Sequence, residues 1–171
     1  MSRAGSDGKI ENLCPLQAMG AIPGNIFESI NMTTEGAITP YEILGGEAGV
    51  KRLVDRFYEL MDQLPEAHTV RQMHPESLEG SATSLFEFLS GWFGGPALYI
   101  AKKGHPRLRM RHAPYAVGPV ARDEWMLCMT QALTEQVADQ AFRASLIATF
   151  EQMASHLLNT AGDASGAGQL S

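Results

Sequence analysis

Cysteine is scarce in this chain. Cys14 and Cys128 are its only two, too few for a disulfide framework and in keeping with a reducing compartment. Long apolar runs are missing too, so no stretch has the length needed to span a bilayer. The first residues, MSRAGSDGKIENLCPLQAMGAIPG, hold one early arginine but no continuous apolar segment, which makes them a poor secretory signal. Positive charge is outnumbered: 13 Lys and Arg against 19 Asp and Glu leave a formal net charge of −6. General affinity for nucleic acid needs the opposite balance. No flavin or nicotinamide fingerprint occurs, and no strand pattern competes with the helical spacing described below. A cytoplasmic protein, with neither nucleic acid nor membrane as partner, is the expectation.

What is present reads as one helical domain with extensions. Apolar residues at 44% and charged residues at 19% suit an ordinary globule, and 171 residues suit a single core. Residues 1–38 are rich in Gly, Ser, Asn and Pro without a sustained period; they read as a partly disordered extension with one short helix near NIFESIN. The tail, residues 161–171, is small and polar and reads as disordered. Between them lies a folded body over residues 39–160.

Its elements follow from capping and periodicity. In TPYEILGG, Thr39 suits an N-cap, Pro40 the first helical position and Glu42 the third residue of a capping box, with Gly45 and Gly46 ending a one-turn helix. Val50, Leu53, Val54, Phe57, Leu60, Met61 and Leu64 predict a second helix from Glu47 to Leu64, closed by Pro65. A third is predicted over Ser77–Phe93 and stopped by Gly94, Gly95 and Pro96. A fourth starts near Asp123 and carries Trp125, Met129, Ala132, Leu133 and Val137. The fifth, Asp139–Asn159, carries Phe142, Leu146, Ile147, Phe150, Met153, Ala154 and Leu157. The fold class is all-α.

The stretch from Gly94 to Arg122 does not fit a plain bundle, whose helices are joined by only a few residues. It reads as a long irregular segment, and five of the chain's cations (Lys102, Lys103, Arg107, Arg109 and Arg111) fall within ten consecutive residues there. Cations packed beside His105 and His112 suit a buried anion, a nucleic-acid backbone or a metal-bearing cofactor. A lone histidine is more often a hydrogen-bonding group than a ligand, and a basic loop is more often simply solvated. On residue types alone those alternatives stay open.

The segment GWFGGPALYIAKKGHPRLRMRHAPY closely resembles the hallmark of group II truncated haemoglobins: Gly-Gly-Pro, a tyrosine shortly after, then a His-Pro-x-Leu-x-x-Arg-His-x-Pro-aromatic string. The resemblance spans roughly residues 39 to 159 and includes Arg56-Phe57-Tyr58 in the second helix and Trp125 early in the fourth. It implies a truncated globin-like two-over-two helical sandwich around haem b (iron protoporphyrin IX), with the proximal helix reduced to a loop and a turn. His112 is then the proximal iron ligand. Arg111, Arg109 and Tyr99 become propionate partners, since guanidinium pairs well with carboxylate, and Leu85, Phe88 and Met129 wall the porphyrin.

On the distal side the resemblance places Tyr58 and Trp125 beside the iron-bound ligand, where their donors stabilise the negative charge that dioxygen gains on binding. On periodicity alone both also read as core residues. His74, in QMHPES, departs from the tyrosine or phenylalanine common in the family; it is either a solvent-facing helix-boundary residue or a third polar group that donates to dioxygen, delivers a proton to peroxide, or coordinates the iron itself. Ser81 implies an open side entrance. Ser84 stands where relatives often carry a basic residue reaching a propionate, which throws weight onto Arg111 and Arg109. His68 and His156 read as surface residues.

The function expected is a haem protein binding O2, NO, CO or peroxide in a donor-rich pocket. Slow release sets simple oxygen transport aside in favour of NO detoxification or peroxidase-type chemistry with an external electron donor. A ligand-state or redox sensor working through residues 1–38 is the alternative, and a homodimer is compatible with either.

Overall fold

The protein is described from a computed structural model, in which residues 38–160 are described. The expected helix near NIFESIN, Cys14 and both terminal extensions lie outside the described residues.

Thr39 opens the fold as expected. Its Oγ1 accepts from the Glu42 backbone N–H at 3.2 Å, while the Glu42 carboxylate accepts from the Thr39 N–H at 2.8 Å. This reciprocal box starts α1 (Pro40–Ile43). Gly45, with φ of +96°, turns the chain into α2 (Gly46–Gln63). That helix buries Val50, Leu53, Val54, Phe57, Tyr58, Leu60 and Met61, the apolar stripe of its sequence. The Tyr41 N–H donates to the Phe93 carbonyl at 2.9 Å, which docks the entry turn against the far end of α4 (Glu79–Trp92).

Two departures from the expected elements occur. Between Leu64 and α4, where no helix was expected, the chain forms a 3-10 turn (Pro65–Ala67) and a short α3 (His68–Gln72), within which Ala67 and Val70 are buried. The Gly94–Arg122 stretch also contains ordered helix. It holds α5 (Leu98–Lys103) and α6 (Leu108–His112), and α7 (Pro119–Gln136) begins four residues before Asp123. Pro119 at the first position of α7 is a start signal. It was hidden because the apolar stripe does not begin until Trp125. The last helix, α8 (Gln140–His156), is capped by Asp139, whose side chain accepts from the Phe142 N–H at 2.7 Å.

Helix α2 packs against both α4 and α7, and α7 packs against α8. The four long helices thus form two pairs laid over one another, the two-over-two arrangement that the resemblance implied. Among the described residues there is no strand, and no helix is long and apolar enough to cross a membrane. The centre of the core is aromatic. Phe150 is fully buried and its ring meets Trp92 at 5.0 Å, Trp125 at 5.8 Å and Phe93 at 6.1 Å between centroids. Across α2, Arg56 clasps Glu135 of α7 with two nitrogens, at 2.6 and 3.1 Å, a bidentate pair that fixes the register of the two helices.

Candidate functional site

Beside this core lies a cavity of about 590 Å³, within the range of small-molecule and cofactor sites. Its walls come from almost every element: Tyr58 of α2, Leu85 and Phe88 of α4, Tyr99 of α5, Arg111 and His112 of α6 and Trp125 of α7, with His74 from the loop after α3. Residues more than sixty positions apart in sequence converge here. Eight of the ten residues named from the sequence line it. The other two do not.

Met129 is fully buried in the core and Arg109 is exposed; neither is among the cavity's lining residues. Helical phase accounts for both. On α6, Leu108, Arg111 and His112 are spaced i, i+3, i+4 and share the cavity face, which turns Arg109 about 100° away. Met129, one turn beyond Trp125, is fully buried within the core cluster. His68 and His156 are exposed, as expected.

The two histidines of the cavity are held the same way. His112 Nδ1 lies 2.8 Å from the Leu108 carbonyl and His74 Nδ1 lies 2.8 Å from the Val70 carbonyl, in each case four residues back. A carbonyl only accepts, so each Nδ1 carries its proton and Nε2 is the ring nitrogen left for another partner. Burial, and to a lesser extent the charges of Arg71 and His112, push the His74 imidazole below its ordinary value, against the hydrogen bond to Val70 that favours its charged form. His74 is therefore neutral near pH 7. Its Nε2 offers a lone pair to the cavity and has no proton to donate.

Tyr58 supplies the donor. Its ring stands edge-on to Phe57 at 4.9 Å and to His74 at 5.8 Å. Burial holds the phenol well above its ordinary value, opposed only in part by a hydrogen bond with Ser81, so it stays protonated across the physiological range. Trp125 packs at 5.1 Å from Phe57 and brings an indole N–H, which is donor only. Ser81, which also lines the cavity, is thus a partner of Tyr58.

Several lining residues escaped the sequence reading. Met153, Ala154 and Leu157 of the α8 end form one wall. Their helical stripe was legible, but nothing in a stripe tells which turns face the core and which face a cavity. Leu108 was legible in principle, standing one turn before His112. Arg122 also lines the cavity, its guanidinium occupied by Asp123 at 2.7 Å and by Ser155 at 3.2 Å.

An apolar cavity with cations at its rim and an imidazole lone pair held toward it fits a flat, iron-bearing cofactor with acidic arms. Comparison with known proteins agrees. The family model for bacterial-like globins matches residues 39–159. The chain is similar to the group 2 truncated hemoglobin YjbI of Bacillus subtilis, 34% identical over 120 residues that cover 70% of this chain and 88% of that one. Among solved structures, it is similar to the cold-adapted truncated hemoglobin of Pseudoalteromonas haloplanktis (TM-score 0.71, 46% identity, 72% of this chain and 99% of the other). It is equally similar in shape to the group II 2-on-2 hemoglobin of Agrobacterium tumefaciens (TM-score 0.71, 43% identity, 74% and 98%). The chain belongs to the bacterial-like globin family, in its group II truncated branch. As a globin, it is a haem protein that binds small ligands such as dioxygen.

Proposed function

We propose that this globin holds haem b through His112 and uses a protein-built set of donors to retain dioxygen for redox chemistry rather than for delivery. The observation that carries the reading is the shared cavity of Tyr58, Trp125, His74 and His112, with both imidazole Nδ1 protons committed to backbone carbonyls. The Leu108 carbonyl orients His112 and raises its basicity as a ligand, as hydrogen-bonded outer partners of metal-bound histidines do. Leu85 and Phe88, which line the cavity, would flank the macrocycle and keep water off it. Arg111 and Tyr99 sit where its carboxylates would lie.

When bound, haem supplies reversible ligation of dioxygen and other diatomic ligands. Tyr58 and Trp125 meet the charge that develops on the ligand. His74, whose Nε2 is an acceptor, does not donate to dioxygen at neutral pH; it takes up a proton, or would serve as an internal base to the iron when no external ligand is present. Nitric oxide entering this cavity and combining with dioxygen leaves as nitrate, and each turnover takes one electron from an external donor. Reduction of peroxide draws on the same donor. The protein works inside the cell in this reading, where such a donor is found.

Two experiments test it. Haemin titrated into the full chain should give a Soret band, and His112→Ala should weaken haem retention by more than the roughly 100-fold that loss of an outer-shell partner reaches. An unchanged band and an unchanged rate of haem loss would remove His112 from its place. Rapid mixing of the oxygenated ferrous protein with nitric oxide should form nitrate stoichiometrically; slow or absent nitrate, with ligand-dependent proteolysis of residues 1–38, would favour a sensor instead. In the same instrument Tyr58→Phe and Trp125→Phe should each speed dioxygen release by about tenfold, the worth of one hydrogen bond to a charged acceptor. Equal rates in all three proteins would mean that neither side chain reaches the ligand.

A further inference from the structure

We propose that Lys103, and not Arg109, is the second cation that binds the carboxylates of the cofactor, acting beside Arg111 over the ring of Tyr99. This rests on the haem reading and adds to it a residue that the sequence showed only as one of five clustered cations. Tyr99 is buried and lines the cavity. Lys103 Nζ stands 5.2 Å from its ring centroid and Arg111 Cζ stands 5.5 Å from it, so two cations converge on one phenol at the rim. Lys103 follows Tyr99 by one helical turn on α5 and therefore shares its face. Lys102, one position earlier, turns instead to the Glu87 carboxylate at 2.6 Å.

The charges do not balance within the protein. Lys102 already engages Glu87, and Lys103 lies 3.5 Å from the other oxygen of that carboxylate. Arg111 spends its hydrogen bonds on two backbone carbonyls, of Pro106 at 3.1 Å and Lys103 at 3.4 Å. Two lysines thus share one carboxylate while Arg111 meets no carboxylate at all, and the surplus of two positive charges matches a ligand with two acidic arms.

Position completes the case. Lys103 Nζ donates to Ser84 Oγ at 2.7 Å, and Ser84 itself lines the cavity. Ser84 is the α4 position at which the family resemblance leads one to look for a basic side chain. Here the ammonium reaches that place from α5, with the serine hydroxyl as its rest. Lys103, like Arg109, is exposed and is not itself a lining residue; it reaches the cavity through its contacts with Ser84 and Tyr99, which do line it.

The test measures transfer of ferric haem to excess apomyoglobin from the full chain and from Lys103→Met, Lys103→Arg and Arg109→Met, with haemin and with haemin dimethyl ester, whose carboxylates are blocked. Lys103→Met should release haemin about three- to tenfold faster, the range of a charge-assisted hydrogen bond at a partly exposed site. It should release the ester at the wild-type rate. Lys103→Arg should restore retention, and Arg109→Met should stay within about twofold of wild type. No acceleration by Lys103→Met, or equal acceleration with haemin and ester, overturns the inference, the second result meaning that Lys103 only steadies Glu87. A chain that takes up no haemin at all overturns the haem reading and this inference together; uptake without a Lys103 effect overturns this one alone.

Discussion

The two sides of the cavity are built by different physics. Tyr58 and Trp125 stand on α2 and α7, helices of 18 residues each that are locked together by the central core and by the Arg56–Glu135 clasp at 2.6 Å. His112 stands at the end of α6, a helix of 5 residues, none of them buried. What holds that segment is hydrogen bonding. Asn159 donates through Nδ2 to the carbonyls of His112 at 3.1 Å and Tyr115 at 2.8 Å, and accepts from the Val117 N–H at 2.9 Å. One side of the site is thus formed by folding itself, whereas the other is draped over the cavity and tied at its end. A bound macrocycle would add to the limited apolar contact that the draped side makes through Pro106 and Leu108. Ligand chemistry needs a stiff donor set, and cofactor entry needs a wall that opens.

Phe150→Ala attacks the built side at its centre and should have the largest effect, about 3–5 kcal/mol of unfolding free energy in denaturant titration of the haem-free chain. A loss under about 1 kcal/mol would mean that the aromatic cluster is not what makes that side rigid. Asn159→Ala attacks the tie. Its three bonds are at the surface, so the expected loss of global stability is smaller, about 1 kcal/mol. Hydrogen exchange should speed up across residues 108–117 and hardly change in α2. Uniform acceleration in both regions would erase the distinction between them.

The smallest effect sharpens the comparison through pH. The His74 imidazole titrates below its ordinary value because it is buried, so the unfolded chain takes up that proton before the folded one does. Stability from this group is fully present above about pH 6.5, the ordinary histidine value, and is lost as pH falls through the lower folded value. Denaturation of wild type and His74→Phe at pH 7.5 and pH 5.5 checks the sign. The wild type should lose more stability on acidification than the variant does. An equal loss in both would place the titration elsewhere.

Much of this was legible in the sequence, and the parts that were not share a cause. The Thr39–Glu42 box, the stripe of α2 and the glycines that turn the chain at Gly45 and Gly94 are local signals, each decided by a few neighbouring residues. The cation-rich string around His112 located the site because its residue types, taken together with the family pattern, admit few other uses. Arg109 and Lys103 show where such reading stops. Both are cations in the same short segment, and only the phases of α5 and α6 decide that Lys103 leans over Tyr99 while Arg109 faces outward. Those phases were not readable, since neither helix is long enough to display a period.

By itself, the order of residues determined the helical architecture, the family and the histidine proposed to meet the iron, because capping, periodicity and a long ordered motif are properties of neighbours along the chain. Tertiary structure alone decided which side of each short helix looks inward, that Ser81 partners Tyr58, and that a neutral His74 shows its lone pair to the cavity. These depend on where a carbonyl, a hydroxyl or a ring from a distant segment comes to rest. Hydrogen-bond geometry and burial in a shared cavity come into being only when the segments meet.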